Sequence, residues 1–349
     1  MAFLVGIAAA AVLLVIPAFI FHRQDVKDVV LIGDSLAFAA VIGALSFIIV
    51  DIGRPDRLWH MIPVIGRFNF PTSMLAWDVV VLSGYLVINV TLPAYVLYCH
   101  FRAGAPEPKA YFPAILLSIV WAISIHTVTA FLFAANSARP FWNIALLAPR
   151  FIATAFASGP ALIILVLQIV RRYAGYTVRQ EVIDMLALIM GISMWITLYF
   201  IGAEFFTDFY NESRHAASLH YLYFGLHGLR GLRPFAWAAL VINLIAVVIL
   251  SIHRFRRHTR TLNVACLLVF FGIWLEKGMG LVVPGFIPTP LGEVFEYYPT
   301  AVEIRIAIGV WALAALAFTL AARVVVAVEL VEISDAKSRA ISGHGRRHP

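Results

Sequence analysis

Seven ionisable side chains lie inside long apolar runs of this sequence: Asp78, His126, Glu204, Glu276, Lys277, Glu303 and Arg305. A charge held in hydrocarbon is expensive and by default marks a site. Asp78 and His126 form the pair with the most specific chemistry. A lipid-soluble quinol releases two protons when it gives up two electrons. A carboxylate and an imidazole near its two ring oxygens can take one each, because both groups do acid–base work near neutrality. The indole of Trp77, with nearby apolar side chains, is placed to sandwich such a ring. Arg150, at the start of a later apolar run, joins Trp77, Asp78 and His126 as a candidate contact for the ring. Each residue also has a plainer reading. Asp78 can be an acid in the first turn of a helix, favoured by the helix dipole. His126, in AISIHTVTAF, can be hydrogen-bonded to a neighbouring helix.

A second group comprises Glu204, Lys277 and Glu303, which can either relay protons or lock helices together as ion pairs. Glu276 and Lys277 are adjacent, so they point to different faces of one helix. A third group, Arg54, Arg57 and Trp59 in the loop DIGRPDRLW, can dock an acidic or cluster-bearing partner. Its plainer reading is an interfacial loop anchored by Trp and Arg at the lipid headgroups. The stretch 207–233 carries His215, His220 and His227, and reads as an amphipathic interfacial helix rather than a metal site.

These residues must be carried by helices that cross a bilayer. The 349-residue chain is 62% hydrophobic and 13% charged, whereas soluble domains carry about 25% charged residues. About nine apolar segments stand out, at 3–21, 29–50, 77–98, 111–134, 149–170, 182–206, 234–252, 262–283 and 300–329. Each is long enough to span as a helix, and the alternation of a barrel strand is missing. The fold class is therefore an all-α integral membrane protein. Met1 opens directly on an apolar run with no basic region before it, which reads as a retained helix.

The net charge of +7 reflects basic loops, not a nucleic-acid surface. Fifteen Lys and Arg residues fall on one side of the membrane, among them Arg171, Arg172, Arg254, Arg256 and tail residues such as Arg346 and Arg347. Eight fall on the other. The excess of positive charge places the first side, and the C-terminus, in the cytoplasm. All seven intramembrane charges then crowd the outer half of an inner (cytoplasmic) membrane, with Asp34 and Asp184 near the opposite face.

Two cysteines without a CxxC spacing exclude an iron–sulfur cluster of the chain's own. His126 is the one deeply placed histidine, which argues against bound haem b, since haem needs axial ligands from facing helices at one depth. No metal site is expected. Two other functions fit the composition: a proton or ion translocator without redox work, and a structural anchor.

Several separate blocks carry a resemblance. They are DIGRPDRLW, SMLAWDVVVLSGYL, SIHTVTAF, PFWNIALLAPRFIATAFASGPALI, EKGMGLVVPGF and YYPTAVEI. Together they resemble the NrfD/polysulfide-reductase membrane-subunit family, within it most of all the DsrP-type and HybB-type subunits. The resemblance implies two four-helix bundles plus a C-terminal helix, divided as 1–134, 135–283 and 284–349. It implies no bound redox cofactor, and a menaquinone-type quinone as exchangeable substrate near the outer face of the first bundle. It also implies an extracytoplasmic ferredoxin-like iron–sulfur subunit among the other subunits of a respiratory complex, with dissimilatory sulfur metabolism as the setting that the DsrP-type likeness suggests. Matched residue by residue, its acidic position is Asp78, its fourth-segment histidine His126, its sixth-segment glutamate Glu204 and its eighth-segment base Lys277. Longer members have a further helix ahead of the FLVGIAAAA block; either the start of this sequence falls late or the subunit lacks that helix, and the quinone contacts that the family draws from that region are not assigned to residues of this sequence.

Overall fold

A computed structural model describes the chain except residues 63, 103–107, 175, 177, 211–215, 290 and 345–349. His215, Arg346 and Arg347 therefore lie outside the described residues. Among the described residues, nine helical segments are long and apolar enough to cross a membrane, from Ala2–Ile20 to Ala301–Val328.

The first span is assembled from α1 (Ala2–Ala9), α2 (Val12–Val15) and a π-helical turn over Ile16–Ile20. Pro17 lies in that turn, where its missing N–H breaks the regular ladder. Then follow α3 (Gln24–Asp51), α4 (Met74–Arg102) and α5 (Pro108–Ala134). Each of these four spans packs on two of the others. A second group follows: α6 (Leu147–Tyr173), α7 (Gln180–Tyr210), α9 (Arg233–Ser251) and α11 (Thr259–Lys277). Two short helices connect its members, α8 (Ala216–Tyr223) and α10 (His253–Arg257). The last helix, α12 (Ala301–His344), packs on α3 and so returns to the first group.

Two features set the geometry between the groups. In the first, α1 and α6 approach closely: a Cβ built on Gly159 would lie 1.9 Å from Ala10 Cβ. Only hydrogen at position 159 permits that approach. In the second, α11 ends in another π-helical turn, Gly278–Val282, immediately after Glu276 and Lys277. Such turns re-aim the side chains beside them and recur at functional sites.

The interfacial helix expected over 207–233 is shorter and sits deeper than a surface helix. α8 buries Leu219, Tyr221 and Leu222, while His220 stays exposed, with Nδ1 3.0 Å from Gly225 O.

Candidate functional site

α4 and α6 begin, and α5, α7 and α11 end, at one end of the helix array. Their buried ionisable side chains gather there. Asp78, in the second turn of α4, is fully buried. Its Oδ1 lies 2.9 Å from the Thr129 hydroxyl, and that hydroxyl is 2.8 Å from Ile125 O within α5. With Asp78 ionised, Thr129 donates its one proton to the carboxylate. With Asp78 protonated, the acid donates to Thr129 Oγ1 and the threonine donates to Ile125 O. Thr129 thus serves both charge states without rearrangement. Asp78 Oδ2 has no partner.

His126 is one helical turn before Thr129 on α5, so α5 presents both on one face. It is 1% exposed. Its Nε2 lies 2.5 Å from Phe151 O and 3.3 Å from Lys277 Nζ, while Nδ1 is buried with no partner. Lys277 Nζ also sits 4.5 Å from the centre of the Phe151 ring, a cation–π distance. α1 closes over the pair at Gly6, where a Cβ would stand 3.2 Å from His126 Cε1 and 3.4 Å from Lys277 Nζ. Two unpaired ionisable atoms, Asp78 Oδ2 and His126 Nδ1, are unusual in a buried site, where polar groups are normally hydrogen-bonded.

Arg150 has a different neighbourhood from the one expected of it. It forms the centre of an ion triad. Its Nη1 is 2.5 Å from Glu204 Oε2, and Nε is 3.1 Å from Glu276 Oε1. Nη2 also donates to Glu276 Oε1. All three side chains are less than a tenth exposed. Arg150 and Phe151 are adjacent on α6, as are Glu276 and Lys277 on α11. One member of each pair serves the triad, and the other serves His126. The two polar groups therefore share a wall made of α6 and α11.

The remaining expected residues stand elsewhere. Trp77 is 36% exposed. Its indole N–H donates to Pro71 O, and its ring packs 4.5 Å from that of Phe70. Glu303 starts α12, away from Glu204 and Lys277. Its carboxylate accepts from the Thr300 N–H at 2.6 Å, while Thr300 Oγ1 accepts from Glu303 N at 3.3 Å. This reciprocal cap satisfies the helix start. Arg57 and Trp59 lie in a 3₁₀ segment over Pro55–Met61, Arg54 immediately precedes it, and all three are exposed. There Arg54 pairs with Asp56, and Trp59 stacks on His60 with ring centres 3.8 Å apart.

Among the described residues, nine apolar helices form an array with buried acids, an imidazole and a lysine at one end, and the sequence comparisons identify the family to which it belongs. Residues 1–287 match the family described as "Polysulphide reductase, NrfD", and this chain belongs to that family. It is a multi-pass membrane protein. It is 25% identical to the membrane subunit of a putative dimethyl sulfoxide reductase from Halobacterium salinarum, over 89% of this chain and 78% of that protein. It is 20% identical to one of the subunits of selenate reductase from Mesobacillus selenatarsenatis, over 99% of this chain and 87% of that protein. A third relative, 27% identical over 62% of this chain and 52% of its own length, is an Hdr-like menaquinol oxidoreductase integral membrane subunit of Archaeoglobus fulgidus.

Proposed function

We propose that this chain is the quinone-reactive membrane subunit of a respiratory oxidoreductase complex. It exchanges electrons between a menaquinone-type pool and an extracytoplasmic iron–sulfur subunit. The observation that carries the reading is the pair of buried, unpartnered atoms, Asp78 Oδ2 and His126 Nδ1, set on neighbouring helices, with Thr129, one turn after His126 on α5, bonded to the other oxygen of Asp78. When a quinol is oxidised, Asp78 accepts one hydroxyl proton and His126 the other, and two electrons leave to the iron–sulfur partner. In the reverse direction the same two groups return the protons.

Lys277 holds His126 in place and balances charge. Glu204 and Arg150 support the pair from across the α6–α11 wall. The name of the Archaeoglobus relative supports a menaquinol substrate. We assign the exposed Arg54, Arg57 and Trp59 to docking of the partner, on the side opposite the cytoplasmic C-terminus. The two groups of four spans constitute two bundles, 1–134 and 135–283, with 284–349 as the C-terminal segment. A role in sulfur metabolism rests on the family resemblance.

The test is quinol-linked electron transfer in the intact complex. Asp78→Asn and His126→Ala are each expected to lower the rate by about 10²-fold or more, the usual worth of a positioned acid or base. Unchanged rates in both variants, with the complex assembled, overturn the assignment.

A further inference from the structure

The ion triad leaves part of its surroundings unsatisfied. Glu276 Oε2 has no hydrogen-bond partner, and neither has Asn243 Oδ1 or Nδ2. Asn243 is fully buried. It is the one polar side chain between Trp237 and Ser251 on α9. A buried amide or carboxylate oxygen without a partner is costly, and ordered water is the usual remedy.

There is room for that remedy. Asn243 and Glu276 line one cavity together with Arg150, Glu204, Tyr223 and Gly280. The centre of a water-sized sphere can range over about 10 Å³ of it, which suits roughly one molecule. The neighbouring helix also makes way for the amide. A Cβ on Gly272 of α11 would fall 2.1 Å from Asn243 Oδ1.

We infer that this cavity is a built water site, in which one water bonds Glu276 Oε2 and the Asn243 amide, and that this water and Glu276 hold one exchangeable proton between them. Charge balance favours the second half. Arg150 carries one positive charge against two carboxylates, so the ionised triad is net negative by one. A hydronium ion giving its proton to Glu276 leaves a neutral water and a neutral triad. Among the described residues, the other ionisable groups that interact electrostatically with the triad are Asp208 on α7, Tyr223 on α8 and Lys277 on α11, while α9 contributes none to the cavity lining. Lys277 can supply the same compensation in its charged form. A proton on Glu276 and a proton on Lys277 each offset this negative charge, which ties the site electrostatically to His126 on the other side of the wall. The site lies in the second group of helices and stands whether or not a quinone binds beside Asp78.

The test uses the intact complex in lipid discs. A cryo-EM map at water-resolving resolution is expected to show one density within hydrogen-bond reach of Glu276 Oε2 and the Asn243 amide. Infrared difference spectra recorded across a pH step, in H₂O and D₂O, are expected to show a carboxylic-acid band that shifts on deuteration. That band should vanish in Glu276→Gln and move in Asn243→Leu, which fills the cavity. An empty cavity, or no exchange-sensitive band from Glu276, overturns the inference. The map is recorded on the wild-type complex, so an empty cavity overturns the inference even if a variant fails to assemble.

Discussion

Lys277 Nζ and His126 Nε2 stand 3.3 Å apart in the protein interior, and the same imidazole nitrogen is 2.5 Å from Phe151 O. One nitrogen cannot donate to a carbonyl and accept from an ammonium at once. With Nε2 protonated, His126 donates to Phe151 O and Lys277 offers a lone pair. With Lys277 charged, Nε2 is the acceptor and Nδ1 carries the hydrogen. The amine therefore selects the imidazole tautomer. Lys277→Met keeps most of the volume and removes that choice. It is expected to lower quinol-linked turnover at least tenfold while the complex still assembles. Turnover per assembled complex measures it, and a wild-type value would show that the amine is only packing.

Thr129 mediates the charge state of Asp78 through one hydroxyl. Thr129→Val preserves shape and leaves Asp78 Oδ1 buried without a partner, a cost of about 1–3 kcal/mol. A lowered thermal midpoint and slower quinol oxidation are expected together. Thr129→Ser, which restores the hydroxyl, should recover both. Failure of the serine variant to recover activity would point to packing at the threonine methyl.

Arg150 is held by two carboxylates in a buried setting. Removing one partner of a buried ion pair costs about 3–5 kcal/mol, because it strands the other charge. Arg150→Met should therefore destabilise the protein strongly in a thermal-aggregation assay. Combining it with Glu204→Gln and Glu276→Gln should restore much of the loss. If the single variant is as stable as wild type, the triad is not a lock between α6, α7 and α11.

Outside the spans, Glu296 clasps two loops. Its carboxylate accepts from the Tyr298 hydroxyl and from the Gly231 and Arg230 N–H groups, at 2.7 Å each. The Tyr298 hydrogen bond first, then those backbone donors, hold Glu296 below the usual glutamate range. A depressed folded value means the clasp contributes fully above the unfolded value, near 4.3, and is lost as pH falls through the lower folded one. Hydrogen exchange at the Arg230 and Gly231 amides should stay slow at neutral pH and accelerate only in strong acid. In Glu296→Ala it should be fast throughout. Slow exchange in that variant would mean other contacts hold the loop.

The spans were legible because apolar length alone reports them. The expected 111–134 corresponds to Tyr111–Ala134, and 234–252 to Arg233–Ser251. Several helices run a few residues past the apolar run, as α3 does back to Gln24, since a helix does not stop where hydrocarbon does. The burial of Asp78, His126, Glu204 and Lys277 followed from the cost of a charge in lipid. Their partners did not, because pairing depends on helix rotation. Nothing in the sequence says that Glu276 turns to Arg150 while Lys277 turns to His126. Two further features of the sequence carry information of this kind. Thr300-x-x-Glu303 is a helix-start pattern, which accounts for Glu303 standing apart from Glu204 and Lys277. Asn243, a lone amide in an otherwise greasy helix, marked the cavity.

The packing of α12 on α3 bears on how the protein is made. α12 leaves the ribosome after α4 to α11, yet it covers a helix that was made before all of them. Until α12 arrives, the flank of α3 that it covers lacks its partner, so assembly closes backwards onto an earlier helix. A nascent chain halted before Ala301 should expose that flank to a lipid-borne photocrosslinker, and the completed chain should shield it.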